Sequence, residues 1–112
     1  MVEISDKIIK LIEKFIVEAK NDNIIIDSAI LFGSYAKGTN TEFSDIDIAV
    51  TSNNFEGIRF KDNVSLIQSR IRSSTDIETH PFRPEDFNES NLFVKEILKY
   101  GIKIIWFFWL VN

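Results

Sequence analysis

Cysteine is absent from the 112 residues, which excludes disulfides and cysteine-based zinc sites and gives no sign of an oxidising compartment. Histidine occurs once, at His80, and proline twice, at Pro81 and Pro84. Excess positive charge is missing too: 13 Lys and Arg against 17 Asp and Glu leave a formal charge of −4. That weighs against a direct nucleic-acid binder, which shows a basic face. It leaves a nucleotide enzyme open, because a bound cation supplies positive charge locally. Long apolar runs are lacking. The most concentrated, Ile102 to Val111, is interrupted by Lys103 and falls short of the roughly 20 residues a membrane-spanning helix needs. Met1 to Lys14 mixes charges with Ile and Leu, unlike a secretory leader. A cytoplasmic protein is expected. Repeats, low-complexity segments and linkers are also absent, so residues 1–112 are expected to form a single domain.

What is present alternates helix and strand patterns. Ile4, Ile8, Leu11, Ile12, Phe15, Ile16 and Ala19 recur at three- and four-residue spacing and predict a helix over Ile4–Lys20. Ile24–Phe32 predicts a nearly continuous apolar strand, followed by Gly33 and a short turn over Tyr35–Lys37 closed by Gly38. Asp45–Thr51 alternates strictly, with Asp45, Asp47 and Ala49 on one face and Ile46, Ile48 and Val50 on the other. Asp62–Arg72 predicts a helix burying Val64, Leu66, Ile67 and Ile71. A short strand over Thr75–Thr79 is expected to end before Pro81. A helix over Asn91–Tyr100 is expected to end in a left-handed Gly101, with a last strand over Ile102–Ile105. The expected class is α/β or α+β: a small mixed sheet of about four strands flanked by helices.

The chemistry concentrates in Phe32-Gly33-Ser34-Tyr35-Ala36-Lys37-Gly38 and Ser44-Asp45-Ile46-Asp47-Ile48. Two aspartates two apart on a strand share a face, so their carboxylates can hold a divalent cation together. Asp is disfavoured in strands, so the alternation of Asp with Ile needs a reason. Gly33 lets the backbone approach a ligand, and Ser34 offers a hydroxyl and an N–H for phosphate. A larger residue at Gly33 is expected to block that ligand at modest cost to stability. Lys37, one turn later, is a candidate phosphate contact, ahead of Thr39, Arg83 and the lone His80.

Gly-Ser, ten residues, then Asp-x-Asp resembles the signature of the DNA polymerase β-like nucleotidyltransferases, and in particular the small stand-alone branch, the minimal nucleotidyltransferases (MNT). The resemblance runs along nearly the whole chain, because the first helix and the last helix with Gly101-Ile102-Lys103-Ile104 fit it as well. It implies that Gly33, Ser34 and Lys37 bind a nucleoside triphosphate, with ATP as donor, while Asp45 and Asp47 bind Mg2+ and a nucleoside monophosphate passes to a hydroxyl. It also implies a third carboxylate on a neighbouring strand, for which Asp76 and Glu78 are the alternatives. Small members of the branch pair with HEPN proteins in toxin–antitoxin systems, which implies a HEPN partner and a tyrosine of that toxin as acceptor. The alternative is a binding module that acts by complex formation with weak or absent catalysis. The aromatic tail Trp106-Phe107-Phe108-Trp109 is expected either to mediate oligomer or partner contacts or to continue the edge strand.

Overall fold

The computed structural model describes residues 3–104. The expected tail contacts of Trp106–Val111, and Ile105 at the end of the last expected strand, lie outside these residues. Ten elements follow one another: α1 (Asp6–Asn21), β1 (Ser28–Phe32), α2 (Ser34–Lys37), β2 (Ile46–Thr51), α3 (Arg59–Ser65), α4 (Ile67–Ser73), β3 (Ile77–Phe82), a 3₁₀ turn (Pro84–Asp86), α5 (Leu92–Tyr100) and β4 (Ile102–Lys103). The strands form a four-stranded mixed sheet in the order β3-β2-β1-β4. β1 is antiparallel to β2 and β4, while β2 and β3 are parallel. The fold is therefore α+β with the expected number of strands.

Period-two alternation assigns the two faces of the sheet. Ala29 and Leu31 of β1, Ile46, Ile48 and Val50 of β2, and Ile77 of β3 pack on α1 through Ile8, Ile12, Phe15, Ile16 and Ala19. The opposite face carries Ile30 and Ala49 under Ile97 of α5, with Phe32, Phe82 and Phe87 around them. Helix α1 starts where Ser5 accepts a hydrogen bond from the Ile8 N–H, so its side chain satisfies one of the free donors of the first turn. At its far end Asp22 accepts hydrogen bonds from Ser69 at 2.6 Å and Arg72 at 2.7 Å, which ties α1 to α4. Those partners, Ser69 first and then Arg72, hold the Asp22 carboxyl below its ordinary value.

Four expectations are corrected. The first strand begins at Ser28 rather than Ile24: Asn23 turns the chain at φ 67°, and Ile24 and Ile26 enter the core from a loop without joining the ladder. The single helix expected over Asp62–Arg72 is two helices broken at Leu66, and its buried positions are Asp62, Leu66 and Ser69. Val64, Ile67 and Ile71 are exposed instead. Asp62 and Ser69 flank Leu66 on the inner face because their polar groups are satisfied. Asp62 accepts from the N–H groups of Glu56 and Gly57 at 2.9 and 3.0 Å, and Ser69 donates to Asp22. Third, Gly101 is extended (φ −77°, ψ 161°), not left-handed. Its glycine is demanded by space: a β-carbon there would lie 2.4 Å from Ile30 Cγ2 and 2.4 Å from the Ile97 carbonyl. Finally, the third strand is not Thr75–Thr79 but runs from Ile77 through Pro81 to Phe82. β3 is an edge strand, where proline is tolerated. The Phe82 carbonyl accepts from the Ser52 N–H, so Phe82 faces β2 and Pro81 turns its nitrogen outward, where no ladder bond is lost.

Candidate active site

The site lies on the α5 side of the sheet, at the end where β1 turns into α2. β2 delivers Asp47 onto this face because Ile46 and Ile48 are drawn to the core on the other. The parallel register sets Asp47 level with Glu78, and Ala49 level with His80. On the other flank, Phe32 of β1 pairs with Asp47. One ligand atom from each of Asp47, Glu78 and His80 lies within 4.8 Å of the others, the spacing of a group that could hold a metal ion.

Both Asp47 oxygens have identifiable surroundings. Oδ1 lies 3.2 Å from His80 Nε2. Oδ2 faces Gly33, where a β-carbon would stand 2.6 Å from it. Gly33 itself has φ 74° and ψ −150°, a conformation that L-residues with side chains rarely adopt. Two independent constraints thus require glycine at this position, one from the backbone and one from the Asp47 carboxylate. The expectation of a modest stability cost for a larger residue at Gly33 is corrected accordingly. Ser34 opens α2 directly after Gly33, and Gly38 ends that turn at φ 76°.

His80 is buried, and both ring nitrogens are engaged: Nε2 with Asp47 and Nδ1 with Arg59 NH2 at 2.9 Å. Its ring packs edge-on against Phe32 at 4.9 Å and Phe93 at 5.8 Å. Ending β3 at Pro81 had put His80 at a strand terminus; in fact it lies within the strand, on the face that carries Asp47 and Glu78. Arg59, at the first turn of α3, had no sequence signal linking it to the site.

The remaining candidates fall at varying distances from this group. Asp45 is exposed, one residue ahead of β2, and lines a groove of about 370 Å³ together with Glu78, Arg59 and Thr79. Asp76 precedes β3 and is exposed; its carbonyl accepts from the Ile46 N–H at 2.8 Å, stitching the entrances of β2 and β3 together. The acidic group described above contains Glu78 and not Asp76. Lys37 is exposed, and its ammonium lies 5.7 Å from the centre of the Tyr100 ring. Thr39 is exposed beyond Gly38. Arg83 is bound in bidentate fashion to Asp86 at 2.7 and 2.9 Å and packs over Gly57, a structural assignment.

The donor set suits a hard divalent cation. Carboxylate oxygens of Asp47 and Glu78 are the ligands such ions take, and Asp45 borders the same groove as Glu78. Clustered carboxylates repel one another, and a cation relieves that repulsion.

Comparison with known proteins gives two matches. The family model for the nucleotidyltransferase domain matches residues 8–104. A relative from Methanocaldococcus jannaschii, named "putative protein adenylyltransferase", is 31% identical over 98 residues, covering 88% of this chain and 96% of its own.

Proposed function

This chain belongs to the nucleotidyltransferase domain family, and on that premise we propose that it is a Mg2+-dependent adenylyltransferase whose acceptor is a protein hydroxyl. The observation that carries the reading is the convergence of Gly33, Asp47 and Glu78 at one end of the sheet, across the neighbouring strands β1, β2 and β3. In this reading, residues 1–112 form one minimal transferase domain. Asp45, Asp47 and Glu78 hold Mg2+, with Asp76 the alternative third carboxylate. Bound Mg2+ would supply charge neutralisation for the triphosphate and for the pentacoordinate transition state.

The other steps belong to the chain's own residues. Gly33 and Ser34 seat the triphosphate beside the carboxylates, and Lys37 closes on its tail. The acceptor hydroxyl attacks the α-phosphorus in line. A new phosphorus–oxygen bond forms, the bond to the pyrophosphate oxygen breaks, and Glu78 takes the hydroxyl proton. Positioning and electrostatic stabilisation account for most of the rate.

Two features support a protein acceptor. The Methanocaldococcus jannaschii relative is named "putative protein adenylyltransferase". Phe60, Val64 and Ile67 are exposed and border the groove that also holds Asp45 and Glu78. Exposed apolar surface of this kind is characteristic of protein contacts. A HEPN toxin with a modifiable tyrosine is the partner we propose, in a cytoplasmic toxin–antitoxin pair. Among the described residues, no helix is long and apolar enough to cross a membrane.

The test uses ATP labelled at the α- or the γ-phosphate, with Mg2+ and the protein encoded beside this one. Covalent labelling of that protein from the α-position alone supports adenylyl transfer. Labelling from the γ-position would make the enzyme a kinase. A partner that binds tightly with no label incorporated would favour the non-catalytic antitoxin.

A further inference from the structure

The lone histidine has no part in the transfer chemistry above, yet it is the buried neighbour of Asp47. We propose that His80 is a positioning residue that fixes the Asp47 carboxylate by donating a hydrogen bond from Nε2, and that Arg59 fixes the tautomer that lets it do so. The inference rests on the reading of Asp47 as a metal-holding group.

Hydrogen-bond chemistry decides the direction of each contact. A guanidinium only donates. The Arg59 NH2 contact at 2.9 Å therefore needs a lone pair on His80 Nδ1. A neutral imidazole carries one N–H, so the ring proton sits on Nε2. Nε2 then donates to Asp47 Oδ1 at 3.2 Å. A protonated Nε2 has no lone pair for a metal. In this tautomer His80 orients Asp47 instead of joining Asp47 and Glu78 as a ligand.

The surroundings hold the ring in this pose. Phe32 and Phe93 pack against its edges, and the side chain is 9% exposed. With Oδ1 tied to His80, Asp47 presents Oδ2 toward Gly33, the side on which the triphosphate is proposed to lie. Residues that orient metal-binding carboxylates in this way tune affinity by about tenfold or more.

Glutamine separates the alternatives. Its amide places an N–H donor near the position of Nε2, so His80→Gln can preserve the bond to Asp47. His80→Leu keeps volume and removes the bonds to both Asp47 and Arg59. Mg2+ binding should be measured by titration with a non-hydrolysable ATP analogue present, and the His80 ring nitrogens followed by 15N NMR, where the single histidine makes assignment direct. The expected result is a protonated Nε2 before and after Mg2+, with affinity within about threefold of wild type for His80→Gln and about tenfold weaker for His80→Leu. Loss of the Nε2 proton on Mg2+ addition would make His80 a ligand and overturn the proposal. So would wild-type affinity in His80→Leu, because the ring would then serve packing alone. Wild-type protein that binds no Mg2+ would instead overturn the reading of Asp47 and this inference with it. The NMR readout on wild type stands even where a variant fails to fold.

Discussion

Replacing Gly33 by alanine should destabilise the domain far more than a surface glycine substitution does. Two costs add. The backbone at φ 74° and ψ −150° is nearly closed to residues with a β-carbon, which costs on the order of 1–3 kcal/mol. The added methyl would lie 2.6 Å from Asp47 Oδ2, so the carboxylate must rotate and weaken its bond to His80. Disturbing a hydrogen bond to a charged group costs about 1.5–3 kcal/mol, and the lower end applies because Asp47 is partly exposed. Together they come to roughly 2–5 kcal/mol, or about 8–20 °C in Tm for a domain of this size. Urea unfolding of Gly33→Ala should give a lower midpoint with an unchanged slope. A double-mutant cycle separates the costs. In an Asp47→Ala background only the backbone strain remains, so the penalty of Gly33→Ala should fall by about 1.5 kcal/mol. A Gly33→Ala protein within about 0.5 kcal/mol of wild type would refute both the strain and the close approach.

Other perturbations test the frame around the site. Gly101→Ala keeps a backbone that any residue adopts, so its expected loss of about 1–3 kcal/mol comes wholly from overpacking against Ile30 and the Ile97 carbonyl; thermal denaturation measures it, and an unchanged Tm would show that the α5–β1 contact yields. The Asp22 carboxyl is held below its ordinary value by Ser69 and Arg72, so its stabilising effect is present above the unfolded value and is lost as pH falls through the lower folded one. The Tm of wild type should therefore drop more steeply than that of Asp22→Asn between about pH 5 and pH 2, and parallel curves would contradict the assignment.

The candidate site was legible in the sequence where chemistry and period coincide. In β2 the Ile positions seek the core, so Asp47 has to emerge on the opposite face, and six residues of alternation suffice to show it. Gly33 stood out as the glycine closing an apolar strand, but its reason did not: the carboxylate it must admit comes from β2, fourteen residues on. His80 was hidden by its neighbour. Pro81 reads as a strand breaker, and only the sheet order reveals an edge where proline is tolerated. That misreading shortened β3 and detached His80 from Asp47, whereas Asp76 and Glu78 stood on equal terms because the start of the strand, at Ile77 rather than Thr75, was not legible. The helices over 59–73 were misphased for a different reason. Hydrophobicity pointed to Val64, Ile67 and Ile71, whereas hydrogen-bond partners distant in sequence made Asp62 and Ser69 the buried positions.

Affinity for the cation depends on which carboxylates share it. Register puts Glu78 level with Asp47 and leaves Asp76 outside the acidic group. Mg2+ affinity, measured by calorimetry with a non-hydrolysable ATP analogue, should fall about tenfold or more in Asp47→Asn and in Glu78→Gln and stay within about threefold of wild type in Asp76→Asn. Unchanged affinity in Asp47→Asn, or a loss in Asp76→Asn that Glu78→Gln does not share, would contradict that grouping.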